Sequence, residues 1–154
     1  FYIINIYRSS DGNDMCLLEN LKNLISSDDK SIIICGDFNI CQREEFNHPV
    51  LSFLKRNNFI AGFDPPQATH VRGRCIDQVY SKLQKNIKIL KVCRSPSYFS
   101  DHCKVNITLQ ISKEDWTTNQ LIIYKNIYII FSYLKLRKIT TLEMVNSNFV
   151  LPLL

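Results

Sequence analysis

A chain of 154 residues is long enough to bury one core and too short for two ordinary domains. Hydrophobic residues make up 45% and charged residues 21%, proportions of a globular protein, which exclude a disordered polyelectrolyte or a fibrous repeat. The net charge of +5 is modest but unevenly laid out: between His70 and Arg94 stand Arg72, Arg74, Lys82, Lys85, Lys88, Lys91 and Arg94, with Asp77 as the sole acid. Such a cluster suits a polyanion, phosphate or nucleic acid, or else a solvated strand-and-loop face.

Phe1 to Tyr7 is rich in β-formers and reads as a strand, closed by the loop Arg8-Ser9-Ser10-Asp11-Gly12. Asp11 or Asp14 is placed to cap a helix running to about Ser26. Met15, Leu18, Leu21 and Ile25, with Leu17 and Leu24 beside them, form one apolar stripe that would lie flat on a sheet. The run Ile32-Ile33-Ile34 is a strand buried on both faces. Gly36 breaks it, and Asp37 and Asn39 follow where the chain leaves the sheet. Strand, helix, strand in this order fits a crossover unit of an α/β layered fold, whose strand ends open onto the ligand crevice. Gly-Asp and Phe-Asn are also ordinary turn vocabulary.

Pro49 sits where a helix begins, with Val50, Leu51, Phe53 and Leu54 as its apolar side and His48 as a structural residue at the start. Phe59 to Gln67 reads as a loop, and Arg74 to Ser81 as a strand with Asp77 in its middle. A carboxylate there needs a partner or a cation, because burying it alone is costly. Ile87 to Cys93 is a further strand, basic on one face, and Val105, Ile107, Leu109 and Ile111 alternate with polar residues as a half-buried strand does. The tail changes character from Ser112, and Asn119 to Tyr133 is almost wholly Asn, Ile, Tyr, Lys and Phe without turn or cap, so 112–154 reads as an atypical extension outside the fold. Its apolar run from Leu121 to Leu134 is shorter than the ~20 residues of a membrane span and is interrupted by Lys125. The six cysteines show neither a CxxC pair nor zinc-finger spacing and read as reduced thiols, which favours an intracellular compartment.

Four places collect polar chemistry at or just after strand-like runs: Tyr7-Arg8, Asp37 with Asn39, Asp77, and Asp101-His102. These residue types are what metal-assisted phosphodiester hydrolysis uses. Carboxylates hold a divalent cation, an aspartate orients and deprotonates water, and an imidazole stabilises charge growing on phosphate oxygens. His70 reads as a loop or packing residue, and Arg72 and Arg74 as candidate phosphate grips.

In order and spacing, Ile34-Cys35-Gly36-Asp37-Phe38-Asn39, then Thr69-His70…Gly73…Ile76-Asp77-Gln78-Val79-Tyr80, then Ser100-Asp101-His102, resemble the endonuclease/exonuclease/phosphatase superfamily of DNase I-like and exonuclease III-like enzymes. The Thr-His-x-x-Gly form is similar to the nucleases of mobile elements. The resemblance covers Phe1 to about Ile111 and implies the C-terminal half of a four-layer sandwich, two β-sheets face to face with helices outside. It implies that Asp37 activates water, Asn39 binds the scissile phosphate, Asp77 orients His102, His102 contacts the phosphate, and Asp101 ligates one Mg²⁺ or Mn²⁺ ion. Tyr7 matches the family's active-site tyrosine, whereas Ser10 and Asn13 stand where abasic-site nucleases carry Asn and Arg, against that specificity.

The family's upstream metal-binding Glu and Asn have no counterpart, and Glu19, Glu44 and Glu45 lie in the wrong context. With Phe1 rather than Met at the start, a truncated, weakly active and aggregation-prone domain is expected. The reading is a metal-dependent endonuclease acting on nucleic acid, DNA before RNA, without a membrane or an obligate protein partner, and nuclear if DNA is the substrate. The alternatives are a non-catalytic remnant that at most binds nucleic acid, or a phosphatase of the same superfamily.

Overall fold

In the computed structural model the described residues are 1–25, 30–112, 122–129 and 141–142, the last two stretches as backbone only. The chain forms β1 (Tyr2–Tyr7), α1 (Asp14–Leu24), β2 (Ile32–Asp37), α2 (Pro49–Arg56), β3 (Ile60–Ala61), β4 (Asp77–Lys82), β5 (Ile87–Ser95), β6 (Lys104–Ser112), β7 (Ile122–Ile129) and β8 (Thr141–Leu142). A five-stranded sheet runs β3-β4-β2-β1-β8, and a three-stranded sheet runs β5-β6-β7. β1 and β2 are parallel neighbours across the α1 crossover, and β4 returns antiparallel on the other side of β2. The architecture is an α/β sandwich with helices on one outer face, as the sequence led us to expect.

β2 sorts the core into two layers, because its side chains alternate and all six of its residues are buried. Ile32 and Ile34 join Ile4, Ile6 and Tyr80 against Leu18 and Leu21 of α1 and Val50, Leu51 and Leu54 of α2. Ile33 and Cys35 face the other way and meet Val79 of β4 and Val105, Ile107 and Leu109 of β6. The second layer joins the two sheets, and the clean alternation along β6 is its signature.

Three local expectations are corrected. Asn13, not Asp11 or Asp14, caps α1: its Oδ1 accepts hydrogen bonds from the backbone N–H of Met15 (2.9 Å) and Cys16 (3.3 Å). Asp14 is thereby released to pair with Arg8 (2.8 Å) and with His48 Nε2 (3.1 Å), which ties β1 to both helices. The apolar stripe of α1 is narrower than its sequence implies, since Leu18 and Leu21 are buried while Met15 is 69% exposed. Asp77 opens β4 instead of lying in its middle: the carbonyls of Arg74, Cys75 and Ile76 accept from loop N–H groups, of Thr69 and His70, of Gln42 and of Phe38, and not from a neighbouring strand.

Beyond residue 112, β7 pairs antiparallel with β6 from Val105↔Ile129 to Ser112↔Ile122. β8 pairs with β1 at Ile3↔Leu142 and Ile4↔Thr141. Both strands come from the 112–154 stretch, which by composition alone we read as an extension outside the fold. Among the described residues no helix is long and apolar enough to cross a membrane.

Candidate active site

The strand alternation that builds the inter-sheet core also builds the site. Continuing the face of Ile33 and Cys35 by one more step brings Asp37 to the end of β2. The face of Val79 leads back to Asp77 at the start of β4. These two aspartates are cross-strand partners, and Tyr7 is the partner of Asp37 on the β1 side. Apolar along most of its length, the inter-sheet face thus becomes acidic at one end.

Gly36 makes this end possible. Its φ of +143° is a conformation that residues with a Cβ rarely adopt, and a Cβ there would stand 1.9 Å from the carbonyl oxygen of Ile6. Past it the chain makes an Asx turn: Asp37 Oδ1 accepts from the backbone N–H of Asn39 (3.0 Å), and Asn39 holds a left-handed φ of +50°. Asn39 Nδ2 donates to the carbonyl of Arg8 (3.2 Å), fixing the amide beside the end of β1. From the helix-side face, Gln78 Nε2 donates to the carbonyls of Ile40 and Cys75, and Tyr80 Oη donates to Gln78 Oε1. These buried bonds clamp the two loops that carry the acids.

His102 completes the cluster from the second sheet's loop. Its Nδ1 lies 2.9 and 3.0 Å from the two oxygens of Asp77, and the two side chains are 5% and 0% exposed. Thr69 holds the other side: its hydroxyl accepts from the backbone N–H of Asp77 (2.9 Å), and its carbonyl accepts from Cys103 N–H (2.7 Å). Ser100 Oγ accepts from the N–H of His102 (3.1 Å). With Nδ1–H committed to Asp77, the ring presents Nε2 to whatever enters the site.

His70 is the residue that sequence reasoning undervalued. It pairs in an isolated bridge with His102, and the two rings meet edge to face with centroids 4.9 Å apart. Its Nδ1 accepts from the backbone N–H of Arg72 (3.1 Å), so the proton sits on Nε2, which donates to Asp101 Oδ2 at 3.1 Å. This assignment makes His70 a holder of Asp101 rather than a metal ligand itself, although His70, Asp101 and His102 offer ligand atoms within 4.8 Å of one another. The His that follows Thr69 in the sequence was the available signal.

Electrostatics follow from burial. Desolvation, reinforced by the neighbouring Asp77, pushes the Asp37 carboxyl up to about 6. The Asp77 hydrogen bond, outweighing desolvation, raises the His102 imidazole above its ordinary value. Asp101 is held below the usual carboxylate range, a small desolvation being outweighed by the hydrogen bond from His70 and the charge of His102. The Cys35 thiol beneath the site is driven up to about 12 by burial, which makes it a packing residue and not a nucleophile.

The structure brings Asp37, Asn39, Asp77, Asp101 and His102 to one end of the sandwich, with Tyr7, 54% exposed, beside Asp37 in the sheet. Arg74 is directed to Glu45, Nη2 to Oε1 at 3.2 Å, and Glu45 also accepts from Cys41 N–H. Arg72 is exposed and enters the cluster through its backbone alone among the described contacts. A pocket of about 350 Å³ opens over Asp101 and His102, lined also by His70, Val71, Arg94 and Ser100.

Searches of curated proteins and of solved structures return no significant match. The profile of one family, described as endonuclease–reverse transcriptase, matches residues 1–106, which is most of the chain and all of the elements that build the site. The chain belongs to the endonuclease–reverse transcriptase family and is a nuclease/phosphoesterase-type domain of the endonuclease/exonuclease/phosphatase kind.

Proposed function

We propose that this site hydrolyses phosphodiester bonds of nucleic acid, DNA in the first place, with one divalent cation. The observation that carries the reading is the buried Asp77–His102 pair standing beside an Asp37 whose carboxyl is raised to about 6. A group poised just below neutral pH is ionised at pH 7 and still basic enough to take a proton from water, which is what a general base requires. Asp37 orients and deprotonates the attacking water, and Asn39 offers an amide N–H to the scissile phosphate. His102, aligned by Asp77 through Nδ1, directs Nε2 at the phosphate oxygens on which charge grows. Tyr7 stands on the far side of Asp37 as a further hydroxyl for the same phosphate.

The donor set fits a hard cation. Asp101 is an ionised carboxylate with a 55% exposed side chain, and Mg²⁺ or Mn²⁺ is commonly held by one or two carboxylates together with waters and substrate phosphate. Asp101 would hold such an ion, and the ion when bound would offset negative charge on the phosphate. Arg94 in the pocket lining supplies positive charge for the polyanion, and the exposed Arg72, between the lining residues Val71 and Gly73, adds to it.

The test is Mg²⁺-dependent nicking of supercoiled plasmid by the purified chain beside the Asp37→Ala, His102→Ala double variant. Nicking that EDTA abolishes and the variant lacks is the expected result. Equal behaviour of the two proteins would replace hydrolysis by binding alone.

A further inference from the structure

The loop that delivers Asp101 and His102 carries two aromatic residues at its tip that the chemistry above does not use. Tyr98 and Phe99 are each 94% exposed, more than any other large hydrophobic side chain among the described residues. Single exposed apolar residues are ordinary, but two adjacent rings held out in water call for a function.

Their place in the fold points to that function. Ser97 and Ser100, immediately on either side of the pair, line the same pocket as His70, Asp101 and His102. Both serines brace the turn: Ser97 Oγ accepts from Phe99 N–H (3.3 Å), and Ser100 Oγ accepts from His102 N–H (3.1 Å). The aromatic tip is therefore tied by short bonds to the loop that holds the phosphate-facing imidazole. Val71, 76% exposed, continues the apolar rim across the pocket and is itself bonded to the site, its N–H donating to the carbonyl of Asp101 (2.9 Å). Arg94, at the foot of the same loop, lines the pocket and contributes positive charge.

An apolar aromatic rim with a basic wall, next to a phosphate-directed site, matches one ligand chemistry. Nucleobases stack on phenyl and phenol rings while the phosphates on either side meet the cations. Two aromatic side chains offer about 300–500 Å² between them, well short of the ~800 Å² that each partner of a stable protein interface contributes. In a duplex the faces of the bases are already covered by their neighbours. Building on the nuclease reading, we propose that Tyr98 and Phe99 form a nucleobase-stacking platform, so that the preferred substrate is nucleic acid with an unpaired base beside the scissile phosphodiester.

The test separates binding from cleavage. Fluorescence anisotropy in EDTA compares a labelled DNA duplex carrying a central bubble with the fully paired duplex of the same length. The proteins are the parent chain, the Tyr98→Ala, Phe99→Ala variant and the Tyr98→Trp, Phe99→Trp variant. The parent is expected to bind the bubble more tightly than the duplex. The alanine variant should lose roughly 10- to 100-fold for the bubble and little for the duplex, and the tryptophan variant should retain the parent's preference. Because both rings stand in water, far-UV circular dichroism of the variants should match the parent. Equal parental affinity for bubble and duplex would overturn the proposal. So would undiminished bubble binding by the alanine variant, which would give the rings to a protein or membrane surface instead. Bubble binding without nicking would sink the hydrolytic reading and leave the platform standing; nicking indifferent to the two rings would do the reverse.

Discussion

Two imidazole–carboxylate pairs lie edge to face at the end of the sandwich, made of the same parts and built in opposite ways. His102 and Asp77 meet through Nδ1 in a pocket that leaves them 5% and 0% exposed. His70 and Asp101 meet through Nε2 at the surface, with the Asp101 side chain 55% exposed. The difference assigns their work. A sealed carboxylate has no room for a ligand and serves to fix a ring, whereas an open one keeps oxygen lone pairs for a cation or water. Only 3.9 Å separates His102 Nε2 from Asp101 Oδ1, so the two pairs present one ring nitrogen and one carboxylate to the same space.

Breaking the buried pair should have the largest effect. His102→Ala strands the Asp77 carboxylate without its partner, at a cost of about 3–5 kcal/mol in stability, together with a loss of ~10²–10⁴ in nicking rate. Thermal denaturation and plasmid nicking read the two effects. Asp77→Asn is the sharper probe. It keeps the volume and a hydrogen bond to Nδ1 but removes the negative charge that holds that proton in place, so the rate should fall by about 10- to 100-fold while the melting temperature moves far less than in His102→Ala.

Breaking the exposed pair should act on the metal and not on the fold. His70→Ala removes the bond that orients Asp101 and should raise the Mg²⁺ concentration for half-maximal nicking by about 10- to 100-fold. Its stability change should stay within ~1 kcal/mol, as for other partly exposed pairs. A titration of nicking against Mg²⁺, with melting curves on the same samples, checks both. Smaller still is the effect expected from the arginines. Arg72→Ala should lower the slope of log affinity against log salt by about 1. Arg74→Ala should leave that slope unchanged, because Glu45 already engages its guanidinium.

These contrasts also show where the sequence was readable. The triple isoleucine of β2 and the alternation of β6 declare their burial through residue type and period, and the structure follows both. Asp37, Asn39, Asp77, Asp101 and His102 were legible as a set because each follows or opens a strand at one end of a sheet. The cap of α1 was missed because Asn13 and Asp14 are both good caps by type, and only the demand of Arg8 and His48 for a carboxylate decides between them. His70 was missed for a related reason: its role rests on Asp101, a neighbour 31 positions away, and on a backbone N–H that no side-chain pattern advertises. Arg74 shows the converse, since a basic residue in a basic stretch carries no mark of the Glu45 it will meet.

The buried Asp37 links stability and chemistry with a definite sign. Its carboxyl lies at about 6 in the folded chain against an ordinary 3.8, so the folded state binds this proton more tightly than the unfolded state does. The group's contribution is therefore most favourable below about pH 4, falls as pH rises to about 6, and is a constant penalty above that. Nicking should follow the opposite course, rising through about pH 6 as the base form appears and then levelling.

Asp37→Asn is therefore the deciding variant, with melting temperature and Mg²⁺-dependent nicking measured on the same preparations at neutral pH. The variant should be more stable than the parent, by up to about 3 kcal/mol, with nicking abolished. A variant that nicks at the parental rate, or one that melts below the parent, would contradict the view that Asp37 is kept charged and buried for its chemistry.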